Sequence, residues 1–159
     1  HEIMYEGYGP GGVAIMCEIL TDNRNRTAPE MRRLFSSSGG NLGTPGSVQF
    51  MFERKGLIAL EGRTEDEVLE VALEAGAEDV EENEGTVQVT TAVAEFHVVM
   101  KALTDKGWEL SAFDLVYVSE TPATPPLDAA PQVEDLLEKL EDHEDVQAVH
   151  TNYQPPEEE

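Results

Sequence analysis

Two incomplete sets of secondary-structure elements stand at the two ends of this chain. Residues 3–53 predict two strands, a helix and a third strand, and residues 131–151 predict one helix and one strand. A sheet or an amphipathic helix must bury its apolar face against another element, and neither set has enough elements for that. The two ends are therefore predicted to build one α/β domain together, with the residues between them inserted.

The first set has clear boundaries. Strands are predicted from Ile3 to Tyr8 and from Val13 to Leu20, where apolar residues alternate. Thr27 to Glu30 is a capping-box pattern with proline in the first turn, so a helix is predicted from there to Gly39-Gly40. A strand from Val48 to Phe52 follows a turn.

The middle of the chain repeats strand and helix patterns in the order βαββαβ, which is the ferredoxin-like split unit. A second capping box at Thr64 to Glu67 opens its first helix, and Phe96, Val99 and Leu103 follow helical spacing in its second. We predict an α/β (α+β) fold with two ferredoxin-like sandwich lobes, one inserted in the other. The predicted parts are residues 1–53 with 121–153, the insert 54–120, and a disordered acidic tail 154–159.

Charge is unevenly distributed along the sequence. The formal net charge is -23, yet residues 1–63 hold seven basic and seven acidic residues. The surplus of carboxylates lies in residues 64–159 and by itself indicates little more than solubility. Exposed charges are screened beyond about 8 Å at physiological salt, so an arginine-bearing lobe could meet phosphate while an acidic lobe stays clear of it.

An arginine-rich stretch precedes the first predicted helix. A helix N-terminus attracts phosphate, and flanking guanidinium groups strengthen that attraction. The alternative is a surface loop whose arginines pair with Asp22 or Glu30, and the pattern leaves both open. The candidate nucleic-acid-binding residues are Arg24, Arg26, Arg32, Arg33, Asn23 and Asn25.

Gly7 to Gly12 matches the letters of a dinucleotide-binding loop, G-x-G-x-x-G. That site requires a helix directly after the loop, but a strand pattern follows here. We therefore interpret Gly9, Pro10, Gly11 and Gly12 as a tight hairpin turn.

No pattern of catalytic or metal-ligating residues is present in the sequence. Cys17 lies among strand apolar residues and is predicted to be a core thiol, and the histidines have no zinc-like spacing. We expect no catalysis, no cofactor and no metal. A single cysteine and the lack of long apolar runs indicate a cytoplasmic protein without a membrane span. The chain begins at His1, so we expect residues upstream.

Several motifs together resemble the YebC family, and the resemblance covers nearly the whole chain. The matching segments are Tyr5 to Gly12, Thr21 to Thr27, Gly39 to Gly43 with Gly46 to Val48, Ala72 to Asp79, and Leu136 to Val149. The mitochondrial relative of this family is the translational activator of cytochrome c oxidase subunit I.

The resemblance implies three domains, of which this chain would hold the second and third and lack the basic N-terminal helical one. It also implies a non-enzymatic regulator of gene expression. The family includes proteins regarded as DNA-binding transcriptional regulators and as ribosome-associated factors that ease translation through proline runs. The implied partners are DNA, ribosomal RNA or the ribosome.

Two other functions stay open at this point. The acidic lobe could serve a protein–protein scaffold by recognising a basic partner protein. Paired ferredoxin-like lobes could also hold a small molecule as a sensor.

Overall fold

The computed structural model describes residues 1–157, which form two four-stranded antiparallel sheets and four α-helices. The predicted α/β fold class is confirmed. In chain order the elements are β1 (Glu2–Tyr8), β2 (Ala14–Leu20), α1 (Arg24–Ser37), β3 (Asn41–Leu42), β4 (Glu53–Glu61), α2 (Glu65–Ala75), β5 (Asp79–Asn83), β6 (Thr86–Ala92), α3 (Phe96–Asp105), β7 (Ala112–Val118), α4 (Ala130–Asp142) and β8 (Val146–Thr151).

The chain divides into two compact units. Unit 1 consists of His1–Glu53 and the chain from Val118 onward, and unit 2 is Arg54–Tyr117. The sheet of unit 1 has the strand order β3-β1-β2-β8, so the last strand of the chain completes a sheet begun by the first two. Alternate residues of β2 face α1 and α4, whose apolar sides share one core with them. The fully buried members of that core include Ile15, Cys17, Met31, Phe35, Val133, Leu136 and Leu140.

Unit 2 has the chain order βαββαβ and the strand order β5-β6-β4-β7. Helices α2 and α3 pack on one face of this sheet through residues such as Ile58, Val68 and Leu103. The capping box that the sequence predicts at the start of α2 is confirmed. Thr64 Oγ1 accepts from the Glu67 N–H at 3.2 Å, and the Thr64 N–H donates to Glu67 Oε2 at 2.8 Å.

The strand predicted from Val48 to Phe52 is wrong. Gln49–Met51 is a short 3-10 turn, because the buried carboxylate of Glu6 on β1 accepts backbone hydrogen bonds from Gly46, Val48 and Gln49. A carboxylate that gathers three neighbouring N–H groups curls the segment instead of extending it. The third strand of unit 1 is instead the two-residue β3, which pairs with β1.

The proline-rich connector is joined to the chain just after β8 by backbone hydrogen bonds. The N–H of Ala123, in the proline-rich connector, donates to Asn152 O at 2.9 Å. The Gln154 N–H donates to Ala123 O at 2.9 Å. Gln154, the first residue of the predicted disordered tail 154–159, thus makes a backbone hydrogen bond, and residues 158–159 of that tail lie outside the described residues.

Candidate nucleic-acid interface

Helix α1 begins earlier than its capping-box pattern predicts. Asn23 is the N-cap, and its Oδ1 accepts from the Arg26 N–H at 3.1 Å. Arg24 is therefore the first helical residue, and the predicted start at Thr27 is wrong. Asparagine is among the strongest N-cap residues, which explains why the helix starts there although Pro29 then lies inside it.

Arg26 is held within unit 1. Its guanidinium donates to the Asp145 carboxylate at 3.2 Å and lies 3.8 Å from Asp22 Oδ1. The hydrogen bond from this guanidinium and the charge of Asp145 raise the pKa of Arg26. Of the four candidate arginines, Arg26 therefore follows the alternative interpretation, in which an arginine pairs with carboxylates of its own chain, here Asp145 and Asp22.

The other three arginines are exposed and unpaired. Among residues 1–157, the side chains of Arg24, Arg32 and Arg33 make no ion pair and no hydrogen bond. The alternative pairing of Arg33 with Glu30 is not made, because Glu30 binds His143 at 2.8 Å. Arg32 lies eight residues beyond Arg24, about 12 Å along the helix axis. Asn25 is also exposed, whereas Asn23 is engaged as the cap.

Unit 1 carries more carboxylates than expected for an arginine-bearing lobe kept apart from an acidic one. Residues 31–52 contain no acidic residue, so the second half of α1 and the loop after it are free of negative side chains. However, acidic α4 packs beside α1 in the same core. Unit 1 holds five basic and 18 acidic residues, a net of -13, and the expected separation into an arginine lobe and an acidic lobe is wrong. The antiparallel pairing of β8 with β2 brings the acidic C-terminal segment into this unit.

The glycine-rich loop is a hairpin connection, as the sequence analysis predicts. β1 and β2 pair antiparallel from Glu2 opposite Leu20 to Tyr8 opposite Ala14, with Pro10–Gly12 as a 3-10 turn between them. Gly11 adopts a φ of 77°, and a Cβ there would lie 2.6 Å from Pro125 Cβ. These features describe a turn packed against the connector, with no helix N-terminus for a pyrophosphate.

A buried polar network locks the start of α1 to the turn before β8. Asp145 Oδ2 accepts from Thr27 Oγ1 at 3.0 Å and from Arg26. The Asp145 N–H donates to His143 Nδ1 at 3.1 Å, so the ring proton of a neutral His143 is on Nε2, facing Glu30. Sequence reasoning missed this network, because nothing in the sequence links residues 143–145 to α1.

Three members of the network have the geometry of a possible metal site. One ligand atom from each of Glu30, His143 and Asp145 lies within 4.8 Å of the others. Each atom already has a hydrogen-bond partner, and the Arg26 guanidinium neutralises Asp145. A second cation would have to compete with that arginine, so we interpret the cluster as a structural lock.

The hydrogen bonds and the ion pair of Asp145 predict that the stability of unit 1 depends on pH. Burial raises the pKa of the Asp145 carboxyl, but the hydrogen bonds from Thr27 and Arg26 and the nearby positive charges outweigh it and lower the pKa below its usual value. A lowered folded-state pKa stabilises the protein above the unfolded-state pKa of about 3.9, and this contribution is lost as the pH falls through the folded-state value. We expect Asp145→Asn to reduce the stability of unit 1 at pH 7. We also expect the variant to lose less stability than the parent protein as the pH falls, because the Asp145 carboxyl no longer takes up a proton.

The measurement is urea unfolding followed by far-UV circular dichroism at pH 7, 5 and 3.5. Asp22→Asn is the matched control, because Asp22 also lies near Arg26 but its side chain is 95% exposed. Coinciding curves for the two variants would contradict the assignment of the lock to Asp145.

Cys17 is confirmed as a core thiol. It is fully buried on β2, and burial raises its pKa to about 12. Burial and a raised pKa are typical of a structural cysteine.

Comparison with known proteins decides the family. The family model described as the TACO1/YebC second and third domain matches residues 1–153. The chain belongs to the TACO1/YebC family. The family resemblance derived from the sequence motifs is confirmed.

Relatives of known name and structure agree with this assignment. A probable transcriptional regulatory protein of Treponema pallidum is 46% identical over 159 residues, which cover 99% of this chain and 65% of that protein. One of Francisella philomiragia is 48% identical over 153 residues, 95% of this chain and 62% of the relative. The crystal structure of a conserved hypothetical protein from Aquifex aeolicus matches with a TM-score of 0.87 at 40% identity, covering 99% of this chain and 66% of that one. This YebC-family chain thus spans less than two thirds of the curated relatives it matches.

Membrane insertion by a helix has no support in the described part of the chain. No helix among residues 1–157 combines the length and the apolar character that a bilayer span requires.

Proposed function

We propose that this YebC-family chain acts without catalysis in the control of gene expression, and that Arg24, Arg32 and Arg33 of α1 contact the phosphates of a nucleic acid. The observation that carries the proposal is that these three guanidinium groups are exposed and unpaired within residues 1–157. The names of the relatives, probable transcriptional regulatory proteins, support a role in the control of gene expression.

The position of Arg24 favours a binding role over a stabilising one. A cation in the first turn of a helix opposes the macrodipole and costs about 0.3–1 kcal/mol. Within the described residues 1–157, Arg24 has no carboxylate partner that would offset this cost. A phosphate bound there would receive both the guanidinium and the free N–H groups of the first turn.

The carboxylate-free segment defines where the polyanion would lie. Arg32 and Arg33 open the stretch of 22 residues without an acidic side chain, residues 31–52, whereas α4, which packs beside α1, is strongly acidic. A phosphate backbone that follows Arg32, Arg33 and the segment after them would therefore meet cations and no acidic residue of that segment. Contacts to phosphate alone carry no sequence information, so both DNA and ribosomal RNA are compatible with this surface.

The salt dependence of binding tests the proposal. Three phosphate contacts give a slope of log K against log salt of about -2.7, which corresponds to a roughly 40-fold loss of affinity between 50 and 200 mM salt. Arg32→Ala/Arg33→Ala should reduce the slope to about -0.9. Fluorescence anisotropy with a labelled 20-bp DNA duplex and a labelled 20-nucleotide RNA measures both slopes.

Lys101→Ala/Lys139→Ala is the matched control, because it removes the same two charges from exposed ion pairs with Asp105 and Asp135. An equal loss of affinity in both double variants, or a slope near zero in the parent chain, would refute the proposed interface. Ribosome co-sedimentation of the full-length protein with and without Arg32→Ala/Arg33→Ala separates the two regulatory roles. Arginine-dependent pelleting supports translation, whereas arginine-dependent binding to the duplex alone supports transcription.

A further inference from the structure

A groove of about 590 Å³ lies between α2 and α3 on the helical face of unit 2. Its floor is apolar and its edges are charged. The floor is formed by Val71, Ala75, Ala102 and Trp108, and the edges by Glu67, Glu70, Glu74, Asp105 and Lys106.

Apart from Trp108, the apolar residues that line the groove have small side chains. Val71, Ala75 and Ala102 are half-buried, and Val71 and Ala75 also pack against the core of unit 2. Small side chains between two packed helices allow another chain to approach closely, as in the helix-in-groove mode of peptide recognition. None of the polar residues that line the groove is buried, so the site lacks the fixed polar groups that orient a small ligand.

The α2 edge presents a row of like charges. Glu67, Glu70 and Glu74 follow one another on the same side of the helix over seven residues, about 10 Å. Glu67 is engaged in the cap and pairs with Arg63 at 3.4 Å, whereas Glu70 and Glu74 pair with no cation among residues 1–157. Like charges four residues apart destabilise a helix, and Glu70 and Glu74 lie beyond the first turn, where the dipole would favour them.

One end of the groove already holds a cation of the chain itself. The Arg63 guanidinium lies 5.3 Å from the centre of the Trp108 ring and contacts Glu67. The combination of an aromatic face and a carboxylate is a favourable seat for a guanidinium or an ammonium group. Arg63 occupies this seat itself, but four of the five charged residues that line the groove are acidic, so the groove complements a cationic chain and repels the phosphates of a nucleic acid.

We propose that this groove binds a lysine- and arginine-rich segment of a partner protein. Apolar side chains of that segment rest on Val71, Ala75 and Ala102, and its cations face Glu70 and Glu74. This interaction is independent of the arginine surface of unit 1, so the two proposals can fail separately.

Trp108 is the single tryptophan of the chain, which makes the groove directly observable. The probe is a labelled 14-residue helical peptide with lysine and arginine around two leucines four residues apart. Anisotropy of the label measures affinity, and the emission of Trp108 reports whether the peptide reaches the groove. We expect the emission to shift in step with binding, and we expect weaker binding when serine replaces both leucines.

The variants separate the groove from general acidity. Glu70→Gln/Glu74→Gln should weaken binding roughly tenfold, because both rim charges face the cations of the peptide. Glu81→Gln/Glu82→Gln is the matched control, since both residues are exposed on β5 of the same unit and outside the groove. An unchanged Trp108 emission at saturation, or an equal loss in the control, would overturn the proposal.

Discussion

Glu6→Ala should destabilise unit 1 by about 1–3 kcal/mol, because it leaves the buried Val48 N–H, and with it the N–H groups of Gly46 and Gln49, without an acceptor. Glu6 is 3% exposed, and its two oxygens accept from Gly46 at 2.7 Å, Val48 at 3.1 Å and Gln49 at 2.7 Å. A buried donor that loses its acceptor costs about 1–3 kcal/mol. That cost applies to Val48, whereas Gly46 and Gln49 are exposed residues whose N–H groups water can reach.

Urea unfolding by far-UV circular dichroism measures the effect, and Trp108 fluorescence provides an internal reference because Trp108 belongs to unit 2. Amide hydrogen exchange at Gly46 and Gln49 should accelerate in Glu6→Ala. Glu6→Gln should be milder, since one of its two acceptor oxygens remains. Glu2→Ala, at an exposed position on the same strand, should change stability by less than about 0.5 kcal/mol. If Glu6→Ala behaves like this control, the carboxylate does not hold the 46–49 turn.

Gly40→Ala is the second substitution with a large expected effect. An added Cβ would lie 2.3 Å from Tyr8 O and 3.1 Å from Gly9 Cα, and both atoms belong to the backbone. A backbone atom cannot rotate away as a flexible side chain can, so β1 and the end of α1 would have to move apart. Overpacking of this kind costs about 1–3 kcal/mol and occasionally more, and we expect the upper end here.

Gly12→Ala provides the comparison. Gly12 has no atom within 4 Å of an added Cβ, but its φ is +80°. That substitution should cost about 1–2 kcal/mol through the left-handed backbone alone. Thermal unfolding of both variants by circular dichroism distinguishes the two causes. We expect Gly40→Ala to be the less stable of the two variants. If it is as stable as Gly12→Ala, the close approach of the backbone does not explain the glycine at position 40.

Local signals in the sequence predicted much of unit 2 correctly. In the capping box, Thr64 and Glu67 hydrogen-bond to each other, three residues apart. The geometry of this motif therefore depends on no distant residue. The amphipathic spacing of Phe96, Val99 and Leu103 likewise reports a buried helix face directly. The family motifs add a further prediction, and the match of the family model over residues 1–153 confirms it.

The candidate interface was harder to predict. Exposure of Arg24, Arg32 and Arg33 agrees with the proposed role, but the role itself stays a prediction. Arg26 could not be separated from its neighbours by sequence, because its partner Asp145 is 119 residues away. The false strand at Val48 to Phe52 has the same origin, since Glu6 is about 40 residues from the N–H groups it binds.

The sequence by itself determined the elements of unit 2 and the family, and in unit 1 the strands β1, β2 and β8 and the helices, since each depends on neighbouring residues or on contiguous motifs. Only the tertiary structure decided which charges meet: Arg26 with Asp145, Glu30 with His143, and acidic α4 beside α1. The physical reason is that side-chain pairing depends on distances in space, and the antiparallel pairing of β8 with β2 joins segments more than 120 residues apart.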